Sequence, residues 1–177
     1  MDTFEVIGGR YSYRGIYQNT PIPREHLMQI MQAGMDAPSG CNKQTTSFIA
    51  VDNQEVLSRL HDVITPPLGE TAPAMICVLT RKIVAYRDRI FNVQDYSAAI
   101  QNMLLAIHSL GYASCWVEGH VTDLDRIGDK MAAILGVPNE YKLIAYLPIG
   151  IAAEAGKRVK KKSFEERAWF NGFGKAE

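Results

Sequence analysis

Apolar residues return at three-and-four spacing in several stretches of this chain and run on without interruption in others, and that contrast predicts its elements. Leu27, Ile30, Met31 and Gly34 mark one face of a helix, and Val56, Leu57 and Leu60 mark the inner side of a shorter one. Ile100, Met103, Leu104, Ile107 and Leu110 give the strongest stripe, so a helix from about Gln94 to Leu110 is expected at the centre of the fold. Leu124, Ile127, Met131, Ile134 and Leu135 line a further helix. Phe48 to Val51 and Ala74 to Leu79 are short continuous apolar runs bounded by turn or charged residues, which predicts buried strands. Tyr141 to Ile149 is longer and β-prone, and is expected inside a sheet. Ser114 to Val117 reads as a short strand or extended segment.

Polar punctuation supplies the boundaries. Asp2 followed three residues later by Glu5 predicts a capped first helix that stops at Gly8 and Gly9. Pro23 suits the first position of the second helix, which is expected to end by Pro38, and Asn53 suits the N-cap of the third. Gly111 stands where the central helix needs a left-handed C-cap. Thr122 with Asp125 predicts the start of the next helix, closed by Gly136 and Pro138. Ser163 with Glu166 predicts one more short helix near the end. The order helix, helix, strand, helix, strand, helix, strand, helix, strand argues a mixed α/β sandwich, and the lack of hairpin signals excludes an all-β fold.

Length adds a bound: 177 residues, 47% hydrophobic and 21% charged, predict one domain with a substantial core. Lys plus Arg and Asp plus Glu both number 19, so the whole-chain field gives no case for nucleic acid or a membrane surface. Any anion site must be local. Cys41, Cys77 and Cys115 form no CxxC and no metal spacing with histidine, which suits a reducing compartment, and the chain is expected to be cytoplasmic. No export signal or bilayer-length apolar run is legible.

The usual catalytic patterns fail. None of His26, His61, His108 and His120 lies three or four residues from another His or a Cys, so no metal centre is expected, and His26 and His108 fall within amphipathic helices as structural or solvent-facing residues. Ser39 lies in PSG rather than GxSxG, and no phosphate-gripping glycine motif is present. An enzyme with this sequence would need a bound cofactor for the hard step.

Two basic segments change the picture. In RYSYR, alternate residues of an extended segment share a side, so Arg10, Ser12 and Arg14 present two guanidiniums and a hydroxyl together. KRVKKK places five basic residues in six positions near the other end; alone it is a solvated face, but converging with the first it would hold a dianion. CWVEGH reads either as a strand end with Trp116 in the core or as backbone amides around Glu118 and Gly119 facing a planar ligand. Pro38 to Gln44 spends seven positions on small, polar, mostly uncharged residues, more than a turn needs.

The ordered set Arg10-x-Ser12-x-Arg14, Pro38-Ser39-Gly40-x-Asn42-x-Gln44, QNMLLAIHSLGYASCWVEG and a basic pair before SFEERAWFNGFG resembles the FMN-dependent nitroreductase family, in a compact form. The resemblance implies an α+β three-layer sandwich, with a mainly antiparallel central sheet flanked by helices, built as an intertwined homodimer. Residues 1–177 would be a single FMN-binding domain whose 151–177 extension packs on the partner subunit and adds a strand there. By position, Arg10, Tyr11 and Ser12 would hold the FMN phosphate and ribityl chain, Arg14 would approach the flavin pyrimidine edge, and Lys160 and Lys161 would close on the phosphate. Trp116, Val117, Glu118 and Gly119 would lie against one flavin face, with the Glu118 amide near N5. Pro38, Ser39, Gly40 and Asn42 would come from the other subunit. The implied activity is hydride transfer from NAD(P)H through FMN to a nitroaromatic, quinone or similar acceptor, by a ping-pong mechanism with no obligatory catalytic side chain. An FMN-binding redox sensor or flavin carrier without steady turnover is the alternative. The chain departs from the pattern at Tyr11, at Thr45-Thr46 and at Lys161, where arginine is frequent; lysine loses bidentate phosphate geometry.

Overall fold

The computed structural model describes residues 2–174. Helix α1 (Thr3–Gly9) opens with the expected capping box: Asp2 accepts from the Phe4 and Glu5 amides while Glu5 reaches back to the Asp2 amide. Helix α2 spans Arg24–Met35, with Pro23 one position outside it as N-cap. Strand β1 (Thr46–Val51) leads through Asn53, whose side chain caps the Val56 amide, into α3 (Gln54–His61). Strand β2 (Ala74–Thr80) is buried along its whole length. A hairpin, β3 (Val84–Tyr86) and β4 (Arg89–Ile90), precedes the long α4 (Asn92–Ser109). Strand β5 (Ala113–Ser114), the single turn α5 (Gly119–Thr122), α6 (Ile127–Leu135) and β6 (Lys142–Gly150) complete the elements.

The main sheet runs β1-β2-β6-β5, antiparallel throughout, with β2 and β6 at its centre. Alternation along β2 sorts the core into two layers. Ala74, Ile76 and Val78 face Leu27 and Ile30 of α2 and Ile100, Met103 and Ile107 of α4. Met75, Cys77 and Leu79 face Leu57 and Leu60 of α3 and Ile127 and Met131 of α6. Helices thus cover both faces of a sheet, the α+β three-layer sandwich expected. Two glycines set the spacing. A Cβ on Gly34 would lie 2.9 Å from both Met103 and Phe48, and one on Gly128 would collide with the Leu143 carbonyl, so α2 and α6 approach their neighbours as only glycine permits.

Three local expectations are corrected. The helix expected at Thr122 begins at Ile127, because the Thr122 hydroxyl bonds back to the Glu118 carbonyl at the end of α5; Leu124, expected inside, is 93% exposed. The Ser163–Glu166 pair forms half of its box, the Ser163 amide donating to the Glu166 carboxylate at 2.9 Å, but only a turn follows. The β3–β4 hairpin was not expected. Its turn uses Arg87 and Asp88 in left-handed conformation, φ 46° and 62°, where sequence would lead one to expect Asn or Gly.

Candidate flavin site

The RYSYR segment is extended and lies beside β5. Ser12 bridges Ser114 in parallel, and the Tyr13 amide donates to the Ser114 carbonyl at 2.8 Å. Tyr13 and Tyr17 turn inward, their rings edge to face at 5.1 Å, which leaves Arg10, Ser12 and Arg14 on the other side as alternation predicts. Tyr11 is half-buried among the tyrosines and does not act as a second surface cation.

After β6 the chain returns along this segment. Tyr17 bridges Ala152, and Gly156 lies so close to the Tyr11 ring that no side chain fits there. Arg158 then donates to the Gly8 carbonyl at the end of α1. The result is a cleft of about 270 Å³ lined by Ile7, Gly8, Arg10, Tyr11, Ser12 and Arg14 from one end of the chain and Arg158, Val159 and Lys161 from the other. Four cations meet there and no carboxylate lines it among the described residues. Lys160 does not line the cleft, whereas Arg158 does; a run of like cations in a sequence does not reveal which of them face inward. His108 stands near, its pKa held down by burial and then by Arg10 and Arg158.

Strand β5 continues into Trp116–Gly119, so the cationic arm and this strip are neighbours in the sheet. Glu118 is tied by both oxygens: the Tyr96 hydroxyl donates to Oε1 at 2.8 Å and the Trp116 indole to Oε2 at 2.9 Å. Burial, reinforced by Glu118, pushes the Tyr96 hydroxyl up to about 12, so it remains a donor throughout the neutral range. Val117 is fixed by reciprocal bonds with Tyr146 at 3.1 and 3.0 Å. The Glu118 amide has no partner among the described residues, while its carbonyl accepts from Val121 and Thr122.

The loop from Pro38 to Gln44 lines a different cavity, about 240 Å³, with Pro38, Ser39, Gln44, Thr45, Thr46 and Asp95 among its walls. Cys41, Asn42 and Gln44 all have positive φ, near 50°, an unusual concentration of left-handed non-glycine residues. The Ser39 hydroxyl accepts from the Gln44 amide at 3.0 Å, and the Gly40 amide and Thr45 hydroxyl both donate to buried Asp95, at 2.7 and 2.6 Å. Within the chain this loop's cavity shares no lining residue with the cationic cleft.

Size does not select the site. A larger cavity, about 470 Å³ between α3 and residues 70–73, has Asp62 and Glu70 on its wall and no lysine or arginine. Cys77 and Cys115 are buried and raised to about 12 and 11, which leaves both thiols protonated. No helix among the described residues is long and apolar enough to cross a membrane.

The nitroreductase family's sequence profile matches residues 7–68 and 61–151 of the chain. A Methanothermobacter thermautotrophicus protein, provisionally named an NADH dehydrogenase/NAD(P)H nitroreductase, is 33% identical over 159 residues, 87% of this chain and 79% of the relative. The solved nitroreductase with bound FMN from Bacteroides fragilis superposes with a TM-score of 0.72 at 29% identity, covering 92% of this chain and 95% of the other. A BluB-like flavoprotein from Clostridium difficile, 23% identical, shares the fold with a TM-score of 0.83 over 97% of this chain and all of the other. The fold and the comparisons define an oxidoreductase of the α+β flavoprotein class. The chain belongs to the nitroreductase family.

Proposed function

We propose that the protein works as a cytoplasmic homodimer, passing hydride from NAD(P)H to a nitroaromatic, quinone or similar acceptor by ping-pong turnover. Family membership makes it a flavin oxidoreductase with FMN as its cofactor. The observation that carries the finer reading is the meeting of Arg10, Ser12 and Arg14 with Arg158 and Lys161 in one cleft. That donor set fits a phosphate monoester: four cations, a hydroxyl and no opposing carboxylate suit a doubly charged anion and its adjacent hydroxyls. Bound there, FMN supplies the two-electron chemistry.

The chain's own groups bind and orient. Arg10, Ser12 and Lys161 would hold the phosphate and ribityl chain beside Tyr11, with Arg158 as a further cation and Lys160 at the rim. Arg14 would bring positive charge to the pyrimidine edge, where it favours gain of negative charge. Trp116, Val117, Glu118 and Gly119 would back one face, and the unpartnered Glu118 amide would donate at N5. Pro38, Ser39, Gly40 and Asn42 would wall the site of the partner subunit; their separation from the cationic cleft within one chain supports delivery in trans. The single FMN-binding domain would then end in an extension, 151–174 among the described residues, that packs on the partner; residues 175–177 lie outside them. Three free cysteines suit a reducing compartment.

The test is the visible spectrum of purified protein, followed by NADH or NADPH without oxygen. A yellow protein that bleaches, and recovers on adding a quinone or nitroaromatic, is the expected result. Yellow protein that no nicotinamide bleaches would instead be a redox sensor or flavin carrier, and colourless protein that takes up no FMN would end the reading.

A further inference from the structure

Two adjacent residues near the start of α4, Asp95 and Tyr96, hold two different walls of the proposed flavin site. Asp95 is 4% exposed and accepts from the Gly40 amide and the Thr45 hydroxyl, so one carboxylate ties the turn at Gly40–Asn42 to the end of its loop. Left-handed Cys41, Asn42 and Gln44 lie between those two anchors, and such a backbone persists only where surrounding contacts over-determine it. The Phe91 ring, packed where a Gly40 side chain would go, closes the turn from beneath. Tyr96, the next residue, points elsewhere: with Trp116 it takes up both oxygens of Glu118 and so fixes the backbone that carries the Glu118 and Gly119 amides.

We propose that Asp95 and Tyr96 are positioning residues for two different flavins of the dimer. Asp95 shapes the Pro38–Thr45 loop for the flavin held by the partner subunit, and Tyr96 sets the Glu118–Gly119 amides for the flavin held by its own. The inference rests on the flavin site proposed above. Neither side chain needs to touch the cofactor; each acts through the backbone it anchors, and a charge-assisted hydrogen bond to a buried carboxylate is strong enough to set a loop's conformation.

Mixed dimers separate the two effects. Two differently tagged copies are co-expressed, one of them carrying Arg10→Ala and Lys161→Ala so that only the other copy holds FMN. Asp95→Asn in the FMN-free copy should raise the FMN Kd of its partner about tenfold, read by flavin fluorescence quenching, and alter the visible circular dichroism of the bound flavin. The same substitution in the FMN-holding copy should leave both readouts as they were. Tyr96→Phe should show the reverse pattern. Thr45→Val in the FMN-free copy should act like Asp95→Asn, whereas Thr45→Ser, which keeps the hydroxyl, should restore binding; this pair decides the matter if Asp95→Asn does not fold. An Asp95 or Thr45 effect that follows the FMN-holding copy, or no effect from either copy, overturns the assignment while the flavin site stands. A parent dimer that takes up no FMN overturns both.

Discussion

Arg10 and Lys161 lie at opposite ends of the sequence and line one cleft, so each owes its position to the tail folding back over Tyr11. If the proposed phosphate site is right, replacing both by alanine would remove two charge-assisted contacts to a dianion and should raise the FMN Kd roughly 100-fold, with little change in far-ultraviolet circular dichroism or melting of the apoprotein. Arg158→Ala should weaken FMN by about tenfold on its own. His61 carries a different prediction. Its Nε2 is buried without a hydrogen-bond partner among the described residues and burial lowers its pKa below 6.5, so in acid the unfolded chain takes a proton that the folded one refuses. Stability should therefore be complete above pH 6.5 and fall as pH drops below it, and His61→Gln should flatten the urea midpoint between pH 5.5 and 7. The alternation Arg10, Ser12, Arg14 was legible because an extended segment has a period of two. Asp95 was not: in sequence it is one acidic residue in a helix's first turn, and its hold on Gly40 and Thr45 exists only in the folded chain.

Most elements were legible because each carries one dominant period and a matching cap. β2 is apolar throughout and central, α4 has one stripe over five turns, and Gly111 and Gly136 adopt the positive φ expected of them, 84° and 65°. The failures are local: a signal that suits one element was taken up by a neighbouring turn. Thr122 looked like a cap but closes the preceding turn, and the helix after it starts from Arg126 in left-handed conformation. Gly128 gave no signal in the sequence, yet it is where α6 touches β6. Gly128→Ala pushes a methyl into the Leu143 carbonyl, a backbone atom that cannot swing aside, and should cost about 1–3 kcal/mol in urea unfolding. Ile100→Ala in α4 opens a cavity against the other face of the sheet and should cost about 2–5 kcal/mol.

At the scale of the molecule, the order of elements argued a mixed α/β sandwich, whereas the mainly antiparallel α+β form and the proposed second subunit entered only through resemblance, since periodicity within one chain does not report what covers its outside. The described tail gives physical grounds for the proposed partner. Phe164, Phe170 and Phe173 are 60%, 58% and 86% exposed, and the Trp169 ring lies tilted against Phe173 with ring centroids 4.1 Å apart, out on a segment with no strand or helix of its own. Four aromatic side chains each cost about 1.5–3 kcal/mol or more to leave in water rather than bury, so a segment of this composition is stable where it is if a second surface covers it. β1 offers such a surface, an outer strand of the sheet with one edge unpaired among the described residues. A chain ended after Lys162 keeps Arg158 and Lys161 but removes every one of those rings. It should sediment as a monomer or a weak dimer at micromolar concentration, and its FMN affinity should fall although all four cations of the cleft remain, because in the proposed dimer the Pro38–Thr45 wall would no longer be delivered from a partner. Full-length protein that sediments as a monomer and binds FMN as tightly as the shortened chain would place both walls of the site within a single subunit, and the trans roles of Pro38, Ser39, Gly40 and Asn42 would have to be withdrawn.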